Sequence, residues 1–263
     1  ANVITAGAWA SGDSLSTPRR GGAPSTSGTQ TSSFYASGGP PQSNATELYN
    51  GTSWATGNTT ANSVGSTAGA GTVASGLLFG GETPGTPAAT ITEEYDGTNW
   101  ATTGAYPASI NGLSGAGTQT AGVGFGGSDG SASNVTAEYN GASWAAGNNL
   151  GTARDALGGT GIQTAALAIG GPPSPETIGG ALPTGSNQNG TGGTQTNALL
   201  FGGNVSPTTL VLGYDGTSWS TRPSISTARY GGSSGNNTTT GTYYAGGGGS
   251  ASGTQRQTTE EFT

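Results

Sequence analysis

One phrase is written four times in this chain: TELYNGTSW at 46–54, TEEYDGTNW at 92–100, TAEYNGASW at 136–144 and VLGYDGTSW at 211–219. Self-similarity over a few tens of residues restricts the fold more than composition does. A unit that short cannot cover both faces of its own sheet and must lean on a neighbour. Each copy places a Tyr before Asn-Gly or Asp-Gly, then two small residues, then Trp. Asn-Gly and Asp-Gly favour a two-residue type I′ turn in which both central residues take positive φ, and aromatic and Thr residues on either side favour strands. The phrase at 92–100 therefore predicts a hairpin: one strand ending at Tyr95, a turn at Asp96-Gly97, and a second strand carrying Trp100.

A second word precedes each hairpin. It reads GTQTSSFYASGG from 28, GTVASGLLFGG from 71, GTQTAGVGFGG from 117, GIQTAALAIGG from 161, GTQTNALLFGG from 193 and GTYYAGGGG from 241. Six copies in 263 residues give about 44 residues per repeat, the length of a four-stranded propeller blade. ETIGGALPTG at 176–185 predicts a shortened hairpin, with Gly179-Gly180 at its turn and no Trp. The sixth hairpin is divided between the chain ends, since TEEF at 259–262 matches its start and GAWASG at 7–12 matches its end. The expected fold is all-β: a six-bladed β-propeller of four-stranded antiparallel blades, forming one domain over residues 1–263. It is closed by pairing of the N- and C-terminal strands, and the last blade is split between about 1–12 and 230–263. Trp9, Tyr49, Trp54, Tyr95, Trp100, Tyr139, Trp144, Tyr214, Trp219 and Phe262 are expected to fill the gaps between sheets. Gly-Gly is expected where the inner strands crowd.

Gly-Gly after the second strand, Tyr on the third and Trp on the fourth resemble the kelch motif. LSTPRRGG at 15–22, LGTARDALGG at 150–159 and ISTARYGG at 225–232 resemble the segment that leads a kelch blade into its first strand. The resemblance extends over the whole chain. It departs in the tight Tyr-to-Trp spacing, in a blade without Trp between about 155 and 185, and in Gly at many places where kelch cores are bulkier. More narrowly, the Gly/Thr-rich wording is similar to kelch-like repeats in proteins of marine tailed bacteriophages.

Composition removes several functions. Gly and Pro together make 66 of 263 residues, near the range of disordered chains, but the period and a charged fraction of only 7% argue for order. All six cationic residues are Arg, against thirteen carboxylates, and the net charge is −7. No basic stripe can neutralise phosphates, so neither nucleic acid nor an anionic membrane is an expected partner. The longest apolar runs, such as ALLF at 198–201, are too short to span a bilayer. Without Cys there is no disulfide or thiolate chemistry. Without His and Cys the copper radical oxidase chemistry known among kelch-like propellers has no ligands and no modified Tyr. A chain that begins ANVIT and contains no Met reads as a processed product or a piece of something longer.

The remaining chemistry is thin. DGTNW is similar to the Asp-box hairpin of sialidases but has one residue fewer between Asp and Gly. A glycosidase needs two carboxylates facing each other roughly 5–10 Å apart. Glu93, Glu94, Glu138, Glu260 and Glu261 recur at one blade position and read as a solvated third strand. Asp96 and Asp215 stand nearly alone in their turns, which gives a hard cation too few oxygens. No catalytic residue, metal or cofactor is expected, and the chain is read as a non-enzyme.

The Arg residues stand out most. Arg19, Arg20, Arg154 and Arg229 precede first strands, and Asp155 and Tyr230 follow two of them. The kelch resemblance implies that Arg19, Arg20, Arg154, Asp155, Arg229 and Tyr230 lie at one rim of the central channel. Two readings stay open. The Arg residues bond neighbouring carbonyls and carboxylates, or they form a ring of bidentate donors beside an aromatic for an acidic sugar or a partner carboxylate. The expected function is a structural or adhesive module of a virus particle, a phage fibre, decoration or receptor-binding protein at the virion surface. Its partners would be other virion proteins through one face and host-surface glycan through Thr/Asn/Ser-rich loops at the other. The bacteriophage resemblance, the missing catalytic residue types and a lysine-free surface with few sites for trypsin-like proteases motivate it. The alternative is a secreted or cell-surface carbohydrate-binding propeller of a bacterium, extracellular and without a capsid partner.

Overall fold

A computed structural model describes residues 7–172, 182, 186–203, 208–235, 241–249 and 254–262, and among them every regular element is a strand. After β1 (Trp9–Gly12), blade I holds β2 (Ala23–Pro24), β3 (Ser33–Ala36), β4 (Thr46–Tyr49) and β5 (Trp54–Gly57). Blade II holds β6 (Ala68–Thr72), β7 (Ser75–Phe79), β8 (Thr92–Tyr95) and β9 (Trp100–Thr102). Blade III holds β10 (Ser114–Thr118), β11 (Ala121–Phe125), β12 (Thr136–Tyr139) and β13 (Trp144–Ala146). Blade IV contributes β14 (Gly158–Ile162) and β15 (Ala165–Ile169), and the shortened hairpin expected at 176–185 lies outside the described residues apart from Leu182. Blade V holds β16 (Gly190–Thr194), β17 (Asn197–Phe201), β18 (Val211–Tyr214) and β19 (Trp219–Arg222).

Blade VI runs β20 (Ser233–Gly235), β21 (Thr242–Ala245), β22 (Thr259–Phe262) and then β1, in the sheet order β20-β21-β22-β1. The chain ends meet in one antiparallel ladder, with Trp9 opposite Phe262 and Gly12 opposite Thr259. The innermost strands β2, β6, β10, β14, β16 and β20 touch in that order, and β20 returns to β2. The molecule is a closed six-bladed propeller.

The repeated hairpin differs from the expected two-residue turn. Each loop has four residues, 50–53, 96–99, 140–143 and 215–218, and only its Gly is left-handed, with φ of 88°, 92°, 91° and 93° at Gly51, Gly97, Gly141 and Gly216. The Asn or Asp before it acts through its side chain. In all four loops its Oδ1 accepts the backbone N–H groups two and three residues on, at 2.7–3.0 Å. This Asx capping closes the loop without a second left-handed residue. The N–H of Asn99 on Asp96, and that of Ser218 on Asp215, hold both carboxyls below the ordinary range.

The loop brings Tyr and Trp together in a tilted pair. Tyr49–Trp54, Tyr95–Trp100, Tyr139–Trp144 and Tyr214–Trp219 have centroids 4.9–5.0 Å apart. Trp then binds the preceding blade. Trp100 meets Phe34 edge-on at 5.6 Å, Trp144 meets Phe79 at 4.8 Å, and Trp54 meets Tyr243 at 6.1 Å. The indole N–H of Trp54, Trp100 and Trp144 donates to Thr259, Thr46 and Thr92, the first residue of TEEF, TELY and TEEY in the blade before. The Gln of the second word does a parallel job: Gln119 donates to the Gly76 and Tyr95 carbonyls, and Gln163 to those of Gly122 and Tyr139.

The Gly-Gly pairs latch each blade to the next. The N–H groups of Gly38, Gly81, Gly127, Gly171, Gly203 and Gly247 donate to the carbonyls of Val64, Ile110, Arg154, Ser186, Arg229 and Arg19, all at 2.7–2.9 Å. A Cβ on Gly81 would stand 2.6 Å from the Gly65 carbonyl oxygen, and φ there is +103°, so only Gly fits. In blade I the latch is Ser37-Gly38 rather than the expected Gly38-Gly39, with Ser37 in the left-handed region at φ 61°.

Buried tyrosines govern the pH response. Burial raises Tyr35 from 10.0 to about 12 and also pushes Tyr106, Tyr243 and Tyr244 upward. A raised folded-state value stabilises fully below pH 10 and is lost as pH climbs through the folded value, about 3 kcal/mol for Tyr35 alone. No His, Cys or Lys side chain exists to titrate between the carboxylates and the tyrosines. Urea unfolding midpoints are therefore expected to be flat from about pH 6 to 9 and to fall steeply between about pH 10 and 12. A stability step near pH 7 would contradict this.

Candidate functional site

The channel mouth is built from backbone. Gly21, Ser66, Gly112, Ala156, Gln188 and Gly231, one per blade just before each first strand, all lie in the left-handed region, with φ between 49° and 64°. The N–H of Gly21 donates to the Gly231 carbonyl, Gly231 to Gln188, Gln188 to Ala156, Ala156 to Gly112 and Gly112 to Ser66. The adjacent Thr67 N–H returns to the Gly21 carbonyl, closing a ring of bonds 2.5–3.1 Å long. No sequence word marks this collar, because its residues share a conformation and not a side chain.

Among the described residues, the opposite end is crossed by a loop of blade I. Its first strand stops after two residues, and residues 25–32 turn inward. The Ser27 N–H donates to the Gly71 carbonyl of blade II and its hydroxyl to the Gly117 carbonyl of blade III. A Cβ on Gly235 of blade VI would lie 2.4 Å from the Ser25 carbonyl oxygen. Thr26 of this loop faces residues of all six blades around an axial cavity of about 250 Å³. The cavity therefore has a collar above and a floor below.

The structure does not assemble the expected ring of Arg donors. Arg19 and Arg229 turn away from the axis into their own blades and are 2% and 1% exposed. Each pairs with a third-strand carboxylate, Arg19 Nη2 to Glu47 at 2.6 Å and Arg229 Nη2 to Glu260 at 2.7 Å. Arg154 is half-buried, donates to the Gly170 carbonyl at 3.1 Å, and burial lowers its pKa. Asp155 is half-buried beside the collar residue Ala156, and neither it nor Tyr230 lines the cavity. Of the six expected residues only Arg20 does. Its Nη1 donates to the Tyr230 hydroxyl at 2.6 Å, and its guanidinium lies 5.3 Å from the centre of the Tyr230 ring. The two adjacent side chains diverge ahead of the first strand: Arg19 enters the blade, while Arg20, an isolated bridge partner of Gly39, stays at the mouth.

The third-strand carboxylates also depart from the solvated strand that was expected. Glu93 and Glu260 are 0% and 3% exposed. Glu93 accepts the backbone N–H groups of Ala61 and Asn62 and the Asn62 amide at 2.8–3.0 Å. Glu260 and Glu47 accept the N–H groups of Ser226 and Ser16 besides their Arg partners. The next Glu faces the neighbouring blade, where Tyr139 donates to Glu94 at 2.9 Å and Tyr49 to Glu261 at 2.6 Å. Among the described third-strand carboxylates, Glu138 alone is exposed. Sequence reasoning also passed over Glu82, which lines the mouth and accepts from Ser66 Oγ at 3.4 Å. Against known proteins, the chain matches no protein-family model and no curated protein sequence.

Proposed function

We propose that the chain is a non-enzymatic structural and adhesive module of a virus particle, a bacteriophage fibre, decoration or receptor-binding component. It docks to other virion proteins and presents its polar loops to host-surface glycan. The observation that carries the reading is how the polar side chains are used: the recurrent Arg, Glu, Gln, Tyr and Trp bond blade to blade or brace their own blade. Residues committed to holding a ring together suit a rigid building block. The kelch-like repeat wording and its similarity to proteins of marine tailed bacteriophages supply the virion context, and a surface without Lys suits an exposed particle component. Mass spectrometry of washed, purified particles is expected to find this polypeptide at structural stoichiometry. Its absence from such particles, together with tight glycan-array binding by the isolated chain, would instead favour a secreted bacterial carbohydrate-binding propeller.

A further inference from the structure

We infer that the axial cavity is a binding site for one neutral, hexose-sized sugar, entering past the collar with its hydroxyls held at the mouth by Arg20 and Glu82. The inference rests on the glycan-binding part of the function proposed above and gives it a location and a ligand class. Size comes first. A cavity of about 250 Å³ lies below the roughly 300–1,000 Å³ of sites for drug-sized ligands. The floor at Thr26 makes it end-on, so it takes the tip of a chain and not its middle.

Charge then narrows the class. Arg20 and Glu82 both line the mouth, and neither makes an ion pair among the described residues. Arg19 and Arg229, which would have made the site cationic, are neutralised inside their blades. One positive and one negative group facing one cavity leave its charge balanced, which disfavours an acid or an amine carrying a single charge. Sugar hydroxyls suit both groups, since a hydroxyl donates to a carboxylate and accepts from a guanidinium. Arg20 is already oriented by the Tyr230 hydroxyl and ring, which lowers the cost of ordering it on binding.

The test titrates the intact chain with D-glucose, D-galactose and D-mannose, using D-glucuronate and D-glucosamine as charged comparators, by calorimetry or ligand-observed NMR. At least one neutral hexose is expected to bind saturably with one site per chain. Arg20→Met and Glu82→Gln are each expected to weaken it about tenfold or more, with the unfolding midpoint of each variant reported beside its affinity. No saturable binding of any neutral hexose overturns the inference. So does tighter binding of glucuronate or glucosamine, or hexose binding unchanged in both variants. The two readings fail separately. Particles that still adhere to host glycan when both residues are changed would keep the adhesive function and remove the cavity from it. A hexose held in the cavity of a polypeptide missing from particles would keep the cavity and remove the virion.

Discussion

Glu260→Ala is expected to lower folding stability by about 3–5 kcal/mol at neutral pH, as large an effect as any single side-chain removal should produce in this protein. The substitution leaves the Arg229 guanidinium, 1% exposed, without its counter-charge, while the Ser226 N–H loses its acceptor. Burial already depresses the Arg229 pKa, with Glu260 acting in the opposite direction, so removing the carboxylate leaves desolvation uncompensated. Remaining bonds from the guanidinium to the Thr227, Gly246 and Thr258 carbonyls keep it anchored where water cannot reach it. Replacing both partners, Arg229→Met with Glu260→Leu, is expected to come close to neutral, because the charge pair is costly to desolvate as well as attractive. Denaturant titrations of wild type, both single variants and the double variant form a complete cycle. A single-variant cost below about 1 kcal/mol would mean that the pair behaves as a solvated surface bridge.

This pair shows how much of the molecule the sequence discloses. Repeat length, ring closure and the aromatic clasps are legible because each depends on a side chain that recurs: Tyr and Trp at fixed spacing, Gly-Gly, and the divided hairpin whose halves TEEF and GAWASG meet as β22 and β1. The Arg–Glu braces were also written there, in a form that single residues do not reveal. The position two before the collar and the second position of the third strand vary together. They are Arg19 with Glu47 in blade I and Arg229 with Glu260 in blade VI, but Ile110 with Ala137 in blade III. Blade II keeps Glu93 opposite Val64, and there backbone amides replace the cation. Comparing blades in register would have moved Arg19 and Arg229 off the channel rim.

Other parts leave no trace in residue identity. The collar needs a left-handed backbone and an inter-blade hydrogen bond, which Gly, Ser, Ala and Gln all provide here. The floor depends on blade I giving up its first strand after Pro24. GTQTSS at 28–33 reads like the other copies of the second word, yet its first five residues lie in the loop, whereas in blades II and III the word begins on the last two residues of a five-residue strand. Consequently the repeat predicts the propeller, while the features that make its axis a blind, charge-balanced cavity arise where single blades depart from the repeat.

Closure of the ring offers the second large effect: removal of residues 1–12 is expected to cost about 3 kcal/mol or more, localised to blade VI and its two neighbours. Trp9 alone joins three elements, with its ring 5.2 Å from Phe201 of blade V and from Phe262 of its own blade, and its indole N–H on the Pro223 carbonyl at 3.0 Å. Large aromatic truncations in cores cost about 3–5 kcal/mol, and the half-buried Trp9 takes the four-residue ladder with it. Without β1, β22 becomes an open edge whose unpaired backbone invites association with another chain. Blade I still grips β22 from the other side, through Trp54 on Thr259 and Tyr49 on Glu261, and the six innermost strands still meet around the axis. The truncated chain should therefore stay folded but open locally. Amide exchange should accelerate in β21 and β22 while β10 and β11, across the ring, keep their protection. A peptide of residues 1–12 added in trans should restore the lost protection. An unfolding midpoint unchanged by the truncation would show that the join between the chain ends carries no stability.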